Sequence, residues 1–152
     1  MPRVLIIACG NPLRCDDGVA WRAADELSRS VPAGVEIVVQ HQLTPELALP
    51  ISQAGSVLFV DAAHTGMPGE VKYDPVQPRE LSSSLSHEFS PAAILDLAQR
   101  FYGRCPPAFI ISICGERFEH GERLSSSVEE GLPHLVERIR GFIADKRLPA
   151  AM

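Results

Sequence analysis

The stretch from Val4 to Gly18, with the sequence VLIIACGNPLRCDDG, constrains the fold more than any other part of the chain. It opens with an apolar run at residues 4–8 that is rich in β-branched side chains and has no polar alternation. Such a run is typical of a strand that is buried on both faces of a parallel sheet. Two adjacent carboxylates, Asp16 and Asp17, then precede a helical pattern. Because ligands of open α/β sheets bind beyond the carboxyl ends of the strands, this loop is a candidate functional site.

The remaining chain alternates strand and helix patterns, which predicts an α/β fold, a three-layer α/β/α sandwich with a five-stranded, mostly parallel sheet. With 152 residues, the chain is expected to form a single domain over residues 1–152. The fourth strand follows the third too closely for a helical crossover and is expected to run antiparallel at an edge. Pro133 is expected to kink or split the last helix. The predicted strands are residues 4–8, 35–39, 56–61, 70–76 and 108–114. The predicted helices are residues 18–30, 45–54 and 91–102, and a last one from 126.

Composition and charge exclude several classes of protein. The apolar fraction of 45% and the charged fraction of 22% are ordinary for a soluble globular domain. The net charge of -5 argues against a nucleic-acid partner, because phosphate binding needs a basic surface. No apolar run approaches the length of a membrane span, and no secretory leader is visible. We therefore expect a cytoplasmic protein without a membrane partner.

The four cysteines do not predict a zinc knuckle or a redox pair, because none are spaced as C-x-x-C. Cys9 and Cys114 each close an apolar strand and are expected to be reduced core thiols. Cys15 neighbours the acidic pair, where a small loop residue is the first interpretation and a ligand or redox role is the alternative.

Three residues form the candidate site: Asp17 in the loop after the first strand, Asp61 at the end of the third, and His87 before the third helix. Parallel strands bring the first two to the same edge of the sheet. Two carboxylates and an imidazole suit a borderline divalent cation such as nickel or zinc. Three protein ligands also leave coordination positions open, as a reactive site requires.

Each candidate has a simpler interpretation. Asp16 and Asp17 could both cap the following helix, whose dipole favours acids, and we assign that role to Asp16. Asp61 closes an apolar strand, where a carboxylate contributes nothing to packing. His87 could be a solvated loop histidine, and His64 is the reserve ligand because it follows Asp61 closely.

Several common catalytic motifs are missing from the sequence. No G-x-G-x-x-G or G-x-x-x-x-G-K is present, which argues against a nucleotide site. No G-x-S-x-G elbow or H-E-x-x-H occurs either, so neither a serine hydrolase nor a zincin is indicated.

The run from Gly10 to Leu13, GNPL, followed by DDG at residues 16–18, resembles the hydrogenase maturation proteases. So do Asp61, with Ala62 after it, and His87, which introduces a helix. The resemblance covers nearly the whole chain. It implies a sheet of order 2-1-3-5-4 with strand four antiparallel.

The resemblance also implies an endopeptidase that removes the carboxyl-terminal extension from the large-subunit precursor of a [NiFe] hydrogenase after nickel insertion. Asp17, Asp61 and His87 then bind the nickel, which arrives on the substrate, and zinc or cadmium is expected to substitute in vitro. A metal held in this way can polarise a scissile carbonyl or lower the pKa of water. Where many members carry Gly-Gly-Thr, this chain has QLT at residues 42–44, which resembles members that serve soluble hydrogenases. The protein is expected to be a monomer.

Two competing hypotheses stay open at this point. One is a self-sufficient metal-dependent hydrolase that carries its own zinc. The other is a non-catalytic chaperone that binds nickel or a hydrogenase subunit through the same residues.

Overall fold

A computed structural model describes residues 2–80 and 90–146 of the chain. Its centre is a five-stranded sheet of order β2-β1-β3-β5-β4. β4 pairs antiparallel with β5, and the other pairs are parallel. The predicted α/β fold, the strand order and the antiparallel edge strand are therefore confirmed. The strands are β1 (Val4–Cys9), β2 (Val35–Gln40), β3 (Ser56–Ala63), β4 (Val71–Val76) and β5 (Ala108–Cys114).

Helices cover both faces of the sheet, as the absence of alternation in β1 predicts. Val4, Ile6 and Ala8 pack with α1 and α4 on one face, while Leu5 and Ile7 pack with α2 and α3 on the other. All five of these side chains are buried. The helices are α1 (Val19–Ser28), α2 (Ala48–Gln53), α3 (Pro91–Tyr102) and α4 (Ser126–Lys146), with 3₁₀ turns at Cys15–Gly18 and Pro45–Leu47.

The parallel strands bring their carboxyl ends to one edge of the sheet. Ala8 of β1 is in register with Val60 of β3, so Asp61 lies one residue beyond that pair. The sequence predicts that β3 ends at Asp61, but the strand continues to Ala63. It continues because β5 is long enough to pair with it, and Asp61 is in register with Ser112. The backbone of Asp61 is therefore held inside the sheet.

Pro133 does not split α4, so that part of the sequence prediction is wrong. The helix is continuous from Ser126 to Lys146 with Pro133 inside it. Pro133 lies on the exposed face of the helix, where water can satisfy the carbonyl that loses its backbone partner. Within residues 2–80 and 90–146, no helix is both long enough and apolar enough to span a membrane.

Candidate active site

Asp17 lies in the 3₁₀ turn that follows β1, and the backbone around it fixes its carboxylate. The backbone N–H of Asn11 donates a hydrogen bond to Asp17 Oδ2 at 2.8 Å. Gly10, with φ of 153°, packs directly against the Asp17 carbonyl, and a Cβ at this position would overlap that oxygen. The GNP turn therefore has a local purpose, since it brings the chain close enough to orient Asp17.

Asp61 lies in β3 directly after the apolar run at residues 57–60. Burial raises the pKa of Asp61 to about 7, and the negative charge of Asp17 contributes to the shift. The two carboxyls are therefore close enough to interact electrostatically in a poorly hydrated place. A strongly perturbed carboxyl in a cleft is a common mark of a functional site.

Asp17 and Asp61 line the same cleft, which has a volume of about 830 Å³ and lies at the carboxyl edge of the sheet. His41 and His64 also line it, from the segments after β2 and β3. His87 lies outside the described residues, although Ser90 and Pro91, which follow it closely in sequence, line the cleft. Among the residues described, no three His, Cys, Asp or Glu side chains are grouped as a metal site.

The prediction that Asp16 caps the following helix is wrong. Its side chain makes no capping hydrogen bond and is completely buried. Oδ2 accepts hydrogen bonds from the backbone N–H groups of Glu116 and Arg117 and from the hydroxyl of Ser125, and Oδ1 accepts one from the Ser125 backbone. Burial alone would raise the pKa of Asp16, but the hydrogen bonds from Arg117, Glu116 and Ser125 outweigh it, so the pKa lies below its ordinary value.

The two neighbouring acids therefore have different tasks. Asp16 holds the loop between β5 and α4 against the first loop, whereas Asp17 faces the cleft. A cap and a long-range anchor cannot be distinguished from the local sequence, because the partners of Asp16 are about a hundred residues away.

Aromatic contacts that the sequence does not predict support the walls of the cleft. Trp21 Nε1 donates to the Gly10 carbonyl at 2.7 Å, and its ring meets that of His41 edge-on at 5.0 Å. On the other wall, the rings of His64 and Phe118 stack with centroids 3.8 Å apart. The sequence gives one indication of these contacts, because His41 and His64 each directly follow a strand. The same criterion, a polar residue near a strand end, selected Asp61.

Solved structures share this architecture over almost the whole chain. The hydrogenase maturating endopeptidase HybD from E. coli superimposes with a TM-score of 0.77, at 21% identity, covering 94% of this chain and 93% of that one. The fold is that of the hydrogenase maturation endopeptidases. The resemblance predicted from the sequence is thereby confirmed at the level of the fold.

Two structures from Thermococcus kodakarensis have the same fold. The [NiFe] hydrogenase maturation protease HycI from Thermococcus kodakarensis KOD1 has a TM-score of 0.73 at 22% identity, with 93% of this chain and 92% of that one covered. The HybD protease of Thermococcus kodakarensis has a TM-score of 0.67 at 25% identity, with 92% and 98% covered. No protein-family model matches the sequence, and no curated protein does. Beyond the short motifs noted in the sequence, the similarity is therefore carried by three-dimensional structure.

Proposed function

We propose that this protein is a nickel-dependent endopeptidase that removes the carboxyl-terminal extension of a [NiFe] hydrogenase large-subunit precursor after nickel insertion. The observation that carries the proposal is the pair of carboxylates, Asp17 and Asp61, on one cleft of this fold. Structures with the same fold are named as hydrogenase maturation endopeptidases. The proposal includes a cytoplasmic site of action and no nucleic-acid or membrane partner.

The electrostatics of the pair favour a cation. Burial and the charge of Asp17 raise the pKa of Asp61, so a positive charge between the two carboxylates would stabilise the ionised form of Asp61. In the proposal, Asp17 and Asp61 bind the nickel of the loaded precursor, and His87 supplies the imidazole that completes a set suited to a borderline ion. Zinc and cadmium share this ligand preference and are proposed to substitute in vitro.

The protein's own residues then position the substrate. The Asn11 N–H orients the carboxylate of Asp17, and pairing with Ser112 of β5 holds the backbone of Asp61 in the sheet. A bound divalent ion polarises a scissile carbonyl and lowers the pKa of water, so no separate nucleophilic side chain is required. Because Asp61 has a pKa of about 7, about half of the empty protein carries a proton there at neutrality, and binding of a cation would displace it. Cleavage in this scheme depends on completed nickel insertion.

The test is incubation of a purified large-subunit precursor, with and without nickel, followed by mass measurement of the products. We expect cleavage near the carboxyl terminus only for the nickel-loaded precursor. Asp61→Asn keeps the shape of the side chain and should fold but not cleave, and circular dichroism checks its folding. Cleavage by Asp61→Asn at the wild-type rate would show that Asp61 is not a ligand and that the mechanism is wrong.

The same preparation separates the two competing hypotheses. A protein that holds stoichiometric zinc after purification and cleaves without nickel would be a self-sufficient hydrolase. A protein that binds the loaded precursor without cleaving it would be a chaperone. Either result would overturn the proposal.

A further inference from the structure

Arg14 contributes a cation to a cleft whose other strongly charged groups are acids. Among the described residues that line the cleft, it is the single Lys or Arg side chain, beside Asp17 and Asp61. Its backbone is fixed by the Arg14 N–H to Asn11 carbonyl bond of 3.1 Å and by a bridge to Gly121. The guanidinium is therefore carried on a rigid support at a cleft of mixed charge.

Within the described residues, the Arg14 guanidinium has a hydrogen-bond partner but no carboxylate partner. Its Nε donates to the Phe118 carbonyl at 3.1 Å. Among residues 2–80 and 90–146, no carboxylate forms an ion pair with it, whereas Arg22 pairs with Glu129 and Arg100 pairs with Asp96. The bond from Nε leaves the two terminal nitrogens to act as donors. Those nitrogens form the fork that binds a carboxylate through two parallel hydrogen bonds.

Phe118 links Arg14 to the rest of this wall. While its carbonyl accepts from Arg14, its ring stacks on His64 with an interplanar angle of 19°. Gly115 lets that ring lie against the backbone, since a Cβ there would overlap it. Asp16 anchors the same loop through Glu116 and Arg117. Phe118 thus contacts both Arg14 and His64 and connects them to the loop that Asp16 anchors.

We infer that Arg14, Phe118 and His64 form a subsite that binds a carboxylate of the substrate polypeptide and so sets which peptide bond reaches Asp17 and Asp61. The inference rests on the proposed function and adds a specificity determinant to it. A substrate carboxylate is attracted to Arg14 and repelled by the acidic pair, so it can occupy only one part of the cleft. Arg14 thereby acts as a positioning residue that fixes the register of the bound chain.

The carboxylate could come from an Asp or Glu side chain or from the free carboxyl terminus, and peptides distinguish these sources. The probes are synthetic peptides that span the junction of the precursor with its extension. In one series each acidic residue is changed in turn to its amide, and in another peptide the terminal carboxylate is an amide. Calorimetry measures the binding of each to the full chain. We expect that replacing one particular peptide carboxylate with its amide weakens binding to the wild-type protein about tenfold or more, because a charge-assisted hydrogen bond is lost.

The protein variants complete a thermodynamic cycle. Arg14→Gln should weaken binding of the unmodified peptide about tenfold and have no effect on the peptide that lacks the recognised carboxylate. Arg140→Gln is the matched control, because it removes the same charge from an exposed position of α4 that does not line the cleft. Arg14→Glu should recover binding when the recognised acid of the peptide is replaced by Lys. Melting curves check that each variant is folded.

The outcomes for the subsite and for the proposed function are distinct. If Arg14→Gln binds every peptide as the wild-type protein does, or if no change of a peptide carboxylate weakens wild-type binding, the subsite is wrong. Should Arg14→Gln also cleave the loaded precursor with an unchanged KM, the subsite fails while the proteolytic function stands. Carboxylate-dependent binding through Arg14 without any cleavage would uphold the subsite and remove the proposed reaction. If Arg14→Gln does not fold, the peptide series on the wild-type protein together with Arg14→Glu and the Lys-substituted peptide decides the question.

Discussion

Asp16 and Ser125 are joined twice across 109 residues of sequence. The carboxylate accepts from the Ser125 backbone N–H at 2.7 Å and from its hydroxyl at 2.8 Å. Further bonds from Glu116 and Arg117 make this buried carboxylate the point at which the loop before α4 is attached to the loop after β1. The wall that carries Phe118 depends on this attachment.

Asp16→Asn should therefore be strongly destabilising, rather than costing the modest contribution of a helix cap. An amide at this position leaves buried donors facing an NH₂ group, and we expect a loss of about 3 kcal/mol in the free energy of unfolding. Urea denaturation measures it. Asp25→Asn on the exposed face of α1 is the control and should change stability by less than about 0.5 kcal/mol. A loss below about 1 kcal/mol for Asp16→Asn would contradict the anchoring role.

Asp61 should make the empty protein less stable as the pH rises towards neutrality. Its pKa is raised from 3.8 to about 7 in the folded state, so the folded protein binds the extra proton between these values. The neutral Asp61 carboxyl makes its full contribution to the free energy of unfolding below pH 3.8, and this contribution is lost as the pH rises to about 7. The free energy of unfolding falls by at most about 1.4 kcal/mol per pH unit over this range.

Asp61→Asn tests this dependence, because it removes the titrating group while preserving its volume. The stability difference between the variant and the wild-type protein should grow in favour of the variant from pH 5 to pH 7, as measured by urea unfolding at each pH. Parallel curves for the two proteins over this range would show that Asp61 does not titrate there.

Gly10→Ala should disturb both folding and processing, because the new Cβ meets the Asp17 carbonyl. We expect a loss of about 2 kcal/mol in stability and, since Asp17 is displaced, about a hundredfold in the rate of precursor cleavage. The control is Gly141→Ala in α4, where a Cβ meets nothing within 4 Å and should stabilise the helix by about 1 kcal/mol. Equal behaviour of the two variants would show that the close approach at Gly10 is unimportant.

A chelator should leave the melting temperature of the purified protein within about 2 °C of its value without chelator. The reason is that nickel belongs to the substrate in the proposed mechanism, and two apolar clusters on the faces of the sheet supply the core. Differential scanning calorimetry with and without EDTA makes the measurement. A fall of more than about 5 °C would indicate an integral ion and favour the hydrolase that carries its own zinc.

The sheet could be predicted from the sequence because each strand is marked by the pattern of residues within it and next to it. The run at residues 4–8 is apolar at every position and rich in β-branched residues, which is typical of a strand covered on both faces. The short connection before β4 likewise excluded a parallel crossover. The end of β3 was misplaced by two residues because strand pairing with β5, rather than the sequence of β3, determines where it stops.

The site was less predictable because its contacts join distant parts of the chain. Asp17 and Asp61 could be singled out, since each is an acid beside a strand end. Arg14 and Phe118 are 104 residues apart in sequence, and neither belongs to a recognisable pattern. The same applies to Asp16, whose neighbours in sequence suggest a cap while its neighbours in space make it an anchor.

The position of Trp21 has a practical consequence for following this cleft in solution. Trp21 is the only tryptophan of the chain. Its indole N–H donates a hydrogen bond to the Gly10 carbonyl, and its ring lies against that of His41, which lines the cleft. Intrinsic fluorescence excited at the indole band therefore originates beside the site and nowhere else in the molecule. Any occupant that moves His41 or the GNP turn changes that emission, so the native protein carries its own optical reporter and needs no attached dye.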